Sequence, residues 1–81
     1  MSGELKAVRI NVSGEKKWQE CWRLEDEIHK DLGIMFDTGY QIGSGKRDWM
    51  LDTLSDQDQT TVVEQLKNND VLKDGFTEIR S

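Results

Sequence analysis

The sequence has no proline, one cysteine and one histidine among its 81 residues. Each shortage excludes something. Without proline, no X-Pro isomerisation can slow folding. A lone Cys21 cannot close an intrachain disulfide or supply a thiolate-rich metal site. A zinc site built on Cys21 and His29 would need Asp or Glu to complete it, and no spacing joins His29 to a serine nucleophile and an acid. No apolar run approaches the roughly 18 residues that cross a bilayer. The N-terminal Met-Ser-Gly-Glu-Leu-Lys has no apolar signal core, and Gly3 stands one place too late for myristoylation. Basic side chains are also scarce, 11 against 16 acidic, for a formal net charge of −5. The clustered Lys and Arg that grip a phosphate backbone are missing. A cytoplasmic protein without membrane or direct nucleic-acid binding is the expectation.

Charged residues, at 33%, nearly equal the hydrophobic 35%. That balance alone would admit disorder, but the apolar residues recur at structural periods. The length allows one domain over residues 1–81, with only roughly 60–65% of its unfolded surface buried on folding.

Residues 5–12 alternate as a strand, with Val8, Ile10 and Val12 on one face and Ala7, Arg9 and Asn11 on the other. Ser13 is placed to cap a helix over 15–32. Its apolar face carries Trp18, Cys21, Trp22, Leu24, Ile28 and Leu32. Lys16–Glu20, Arg23–Glu27 and Asp26–Lys30 are opposite charges four apart on the other face, and Gly33 is the C-cap. Cys21 is read as a small core residue and His29 as a solvated helix-end residue.

Residues 34–53 read as a hairpin around Gly43-Ser44-Gly45-Lys46. With Ser44 and Gly45 as the loop, Ile42 faces Arg47, Tyr40 faces Trp49 and Thr38 faces Leu51. With Phe36 these form the apolar side. On the outward side Asp37 then opposes Asp52, Gln41 opposes Asp48, and Gly39 opposes Met50. A second helix starts at Ser55 and turns Val62, Val63 and Leu66 inward, ending at Asn68-Asn69-Asp70. Val71 and Leu72 close the core, and 76–80 is a last strand. Phe76 and Ile79 differ in parity there, so a three-stranded sheet with a loose C-terminus is the alternative.

Strand, helix, strand, strand, helix, strand is the α+β pattern of the ferredoxin-like βαββαβ two-layer sandwich. It has an antiparallel sheet with two helices on one face. Right-handed crossovers put the first and third strands in the centre.

Two short motifs suggest chemistry. Phe36-Asp37-Thr38-Gly39 resembles the active-site turn of aspartic proteases over four residues. Tyr40 stands where those enzymes carry a small residue, and alternation puts Asp37 on a strand. Gly43-Ser44-Gly45-Lys46 resembles a phosphate loop, but the required first glycine falls at Tyr40 and Arg47 replaces the Ser or Thr. It also joins two strands, not a strand to a helix N-terminus. No catalytic residue, metal ligand set or cofactor is assigned.

The outward hairpin face stands out, because like charges directly opposite are destabilising. Arg9 on the neighbouring strand is placed to lie near Asp48 or Asp52. The expectation is a small, acidic, non-enzymatic interaction or regulatory domain. It docks a protein with a basic or mixed surface through Arg9, Asp37, Gln41, Asp48, Met50 and Asp52. The alternative is low-affinity Ca²⁺ or Mg²⁺ binding by the hairpin carboxylates. An exposed edge over 36–42 leaves the chain a monomer or a weak homodimer.

Overall fold

The structure, a computed structural model, describes residues 3–41 and 44–81, with only the backbone of Gln41. The elements are β1 (Leu5–Asn11), α1 (Glu15–Asp31), β2 (Asp37–Gln41), β3 (Lys46–Met50), α2 (Asp56–Lys67) and β4 (Phe76–Arg80). The strands form one antiparallel sheet in the order β2-β3-β1-β4. This is the ferredoxin-like layout, with β1 and β3 central as right-handed crossovers require.

Alternation along β1 divides the sheet. Val8, Ile10 and Val12 enter the core with Trp49 and Leu51. Cys21, Leu24 and Ile28 from α1, and Val62, Val63 and Leu66 from α2, cover that face. Leu72 is fully buried and Val71 packs beside the core, as the sequence predicts.

The fourth strand pairs, which removes the loose-terminus alternative. Phe76 lies opposite Ile10 and packs against the core, while Ile79 lies opposite Ala7 on the other face. The two apolar residues differ in parity because each serves a different side. A register shift between Leu5 and Ala7 does the same for β1. Leu5 joins the core, while Ala7, only 3% exposed, sits on the bare face between Met50 and Ile79.

The helix ends follow from local hydrogen bonding. Ser55 Oγ accepts from the Asp58 N–H at 3.2 Å, the predicted cap of α2. α1 departs from expectation. Its N-cap is Gly14, which has no side chain to bond, and the Ser13 N–H before it donates to Asn11 Oδ1 at 2.9 Å. Gly33, at φ 67°, lies just past its end.

Arg23–Glu27 at 3.0 Å and Asp26–Lys30 at 3.1 Å form as predicted. Glu20 instead accepts from Arg23 and from Asn69 Nδ2, both at 2.6 Å, which ties α1 to the end of α2.

The apolar face of α1 is narrower than the sequence reading. Its buried stripe is Cys21, Leu24, Glu25 and Ile28. Trp22 falls roughly 110° from the centre of that stripe at 100° per residue, and it is 54% exposed. Leu32, beyond the last helical residue, is 44% exposed.

The hairpin differs by two residues in register. Thr38 faces Trp49, Tyr40 faces Arg47 and Gln41 faces Lys46. The connection therefore spans 42–45, not Ser44 and Gly45 alone. Ile42, expected opposite Arg47, and Gly43 of the expected turn lie outside the described residues. Gly45 has φ 68°, and its C=O accepts from the Val12 N–H at 2.8 Å. The positive φ favours glycine there, and an added Cβ would also displace the Ser13 hydroxyl, whose Oγ it would meet at 2.5 Å. A slip of two keeps every side chain on its predicted face and changes every opposed pair.

Candidate functional site

The flank where α1 meets β2 is organised from inside by one buried acid. Glu25 lies on the apolar stripe of α1, four residues after Cys21. Arg47 lies on the core side of β3. Their side chains are 10% and 13% exposed and form an ion pair through Arg47 Nε, with Nη2 donating to the second carboxylate oxygen at 3.0 Å. Trp49 Nε1 donates to the same carboxylate at 2.7 Å, and Cys21 Sγ lies 3.6 Å away. A buried carboxylate is tolerated when paired and hydrogen-bonded like this. Glu25 in turn raises the Arg47 pKa, chiefly through these hydrogen bonds.

The same network disarms Cys21. Burial, then the Glu25 charge, push its thiol up to about 12. A thiol held protonated at neutral pH is a poor nucleophile.

Arg47 also builds outward. Its Nη2 donates to Thr38 Oγ1 on β2 at 2.9 Å. Its guanidinium lies 5.6 Å from the Trp18 ring centre, within cation–π range. Trp18 contacts Trp22 at 5.0 Å and Tyr40 at 4.9 Å between ring centres. The result is an aromatic cluster on a fixed base, with Trp22 54% and Tyr40 45% exposed. Met35 at 66% and Leu32 at 44% stand exposed on the same flank, on the connection from α1 into β2. His29 belongs to this flank and is not a solvated helix end. It is half-buried, edge-on to Phe36 at 4.8 Å, and its Nε2 is buried without a partner among the described residues.

β2 is also an edge strand, paired only with β3 among the described residues. Two backbone bonds reveal which of its groups face outward. Leu51 N–H donates to Lys6 O, and Val12 N–H donates to Gly45 O, both at 2.8 Å. Odd-numbered β3 residues therefore direct their backbone to β1, and even-numbered ones to β2. Asp37, Gly39 and Gln41 lie opposite those even-numbered residues. Thr38 and Tyr40 must then turn their N–H and C=O groups to the open edge.

The residues predicted as a site are only partly brought together. Asp48 lies opposite Arg9, and Arg9 Nε and Nη2 grip its carboxylate at 2.9 and 3.0 Å. That meets the expectation for Arg9 and neutralises the centre of the open sheet face. Asp37 does not oppose Asp52. It lies opposite Met50, while Asp52 sits beyond β3 in the turn towards α2. Gln41 lies opposite Lys46, not Asp48, and Gly39 lies opposite Asp48, not Met50. The opposed carboxylates that suggested a cation site are therefore apart. Among the described residues no group of three or more His, Cys, Asp or Glu is placed to hold a metal ion.

Sequence reading missed Glu25, although the signal was present. Glu25 falls on the α1 stripe without a Lys or Arg four places away, and Arg47 falls on the core side of β3. Two opposite charges at inward positions identify each other as partners.

No helix among the described residues is long and apolar enough to cross a membrane. Compared with family models, curated proteins and solved structures, the chain matches none.

Proposed function

We propose that this chain is a non-enzymatic protein-interaction domain whose binding surface is the α1–β2 flank. One observation carries the reading. Of the five large hydrophobic side chains that stand exposed among the described residues, Trp22, Leu32, Met35 and Tyr40 lie on or beside α1 and β2. They adjoin a strand edge with outward backbone groups. Scattered exposed apolar residues are normal, whereas a contiguous patch marks an interaction surface. Tyr and Trp are also the side chains that most often anchor interfaces. The buried polar groups beneath favour this reading over an enzyme, since Glu25 and Arg47 are consumed by each other.

A photo-crosslinking amino acid in place of Trp22, Tyr40 or, as control, exposed Gln57 on α2 tests this in native extract. Adducts at positions 22 and 40 with none at 57 are expected. No adduct at 22 and 40, or equal adducts at all three, would overturn the reading.

The open sheet face supports a second reading. Asp37 is exposed, makes no ion pair among the described residues, and adjoins the Met50–Ala7–Ile79 row. A partner with a basic, partly apolar surface fits it. Asp37→Lys should then abolish binding while Trp22→Ala leaves it unchanged. The reverse pattern excludes this face.

A further inference from the structure

We propose that the occupant of the α1–β2 flank is a second copy of this chain, with β2 pairing antiparallel to β2 of that copy about a two-fold axis at Gly39. The inference rests on the flank being the binding surface and specifies what covers it.

The strand is self-complementary in this register. All of Asp37–Gln41 pairs only when Gly39 meets Gly39 of the second copy. Thr38 then lies opposite the second copy's Tyr40, and Asp37 opposite its Gln41. Thr38 and Tyr40 carry the outward N–H and C=O groups. Each Thr38 can therefore donate to, and accept from, the Tyr40 it faces, and the two-fold repeats the exchange. Gly39 falls at the non-hydrogen-bonded position, where strands approach most closely and a missing side chain removes any clash. No like charges oppose each other. A Thr–Tyr pair on the helix side is a favourable cross-strand combination.

The other edge is unlike this one. β4 carries Glu78 and Arg80, whose side chains bond at 2.5 Å. Charged side chains blunt an edge against pairing. The centre of β2, Thr38-Gly39-Tyr40, has no charge and no proline.

An antiparallel join about this axis also keeps both helical layers on one side of a continuous sheet. The Trp22 flanks of the two α1 helices then face each other across the seam, over Tyr40. The contact is isologous and closed, so it yields a dimer and not a fibre.

Gly39→Cys provides the test. A Cβ at Gly39 meets nothing within 4 Å and the backbone there is unstrained, so the single chain tolerates it. Non-hydrogen-bonded partners lie about 4.5 Å apart at Cα, within the disulfide range. Mild oxidation should convert most of the Gly39→Cys protein into a reducible species of twice the 9.4 kDa chain mass. Thr77→Cys, exposed on β4, should not respond.

The unmodified protein should sediment at twice 9.4 kDa, and Thr38→Pro should return it to 9.4 kDa. Proline there removes an outward N–H that the single chain does not use. Tyr40→Lys should do the same by placing a charge at the seam, and it serves if the proline variant does not fold. Unmodified protein at 9.4 kDa at every concentration, with Gly39→Cys no more reactive than Thr77→Cys, overturns the second-copy inference. Adducts from positions 22 and 40 to a different protein would then retain the interaction reading alone. Their absence would end both.

Discussion

Arg47→Met removes one half of the buried pair and leaves Glu25 with Trp49 Nε1 and Cys21 Sγ as its remaining partners. The carboxylate side chain is only 10% exposed, so water cannot replace the guanidinium. Breaking a buried pair in this way costs about 3–5 kcal/mol. A chain of 81 residues has a total stability of roughly 4–12 kcal/mol. The single substitution therefore removes a large part of it and should lower the melting temperature by at least roughly 12 °C. Glu25→Gln combined with Arg47→Met behaves differently. The amide oxygen still accepts from Trp49 Nε1 and no buried charge is left, so the double variant should recover most of the loss. Urea unfolding of the parent, both single variants and the double variant closes the cycle. An Arg47→Met unfolding free energy within about 1 kcal/mol of the parent would refute the buried-pair account.

Cys21 should resist iodoacetamide at pH 8 in the folded protein and react rapidly in denaturant. Rapid native alkylation would contradict its burial and raised pKa. The Glu20 carboxyl is held below its ordinary 4.5, first by the Arg23 hydrogen bonds and then, against desolvation, by Asn69. A depressed folded-state pKa gives stability that is present above the ordinary value and lost as pH falls through the folded value. Glu20→Gln should thus be less stable than the parent at pH 7, and the gap should close on acidification in urea titrations. A gap independent of pH contradicts this. Ser55→Ala should cost about 1 kcal/mol by removing the acceptor for the Asp58 N–H. No change in the urea midpoint would show that the cap is not used.

The fold was legible because periodicity reports faces. Val8 and Ile10 on β1, and Val62, Val63 and Leu66 on α2, announced their inward positions through spacing alone. Register was not legible in the same way. A hairpin with two or four connecting residues puts the same side chains on the same face, so alternation could not distinguish the pairing of Asp37 with Asp52 from that with Met50. The candidate site suffered most, because its argument depended on opposed pairs. Trp22 and Glu25 show the other limit. Both stand on α1, and hydrophobicity put Trp22 on the apolar face and gave Glu25 no place on it. Arg47 reversed that order by giving Glu25 a buried partner. The aromatic residue was left at the margin, over the β2 edge.

Amide hydrogen exchange at Thr38, Gly39 and Tyr40, followed as protein concentration rises, tests the claim that a second strand covers the β2 edge. The Gly39 amide, directed at β3, should be protected at every concentration. Those of Thr38 and Tyr40 should become protected together as the concentration increases, and Thr38→Pro should abolish the protection at Tyr40. Free exchange at Thr38 and Tyr40 at all concentrations, beside a protected Gly39, would contradict it.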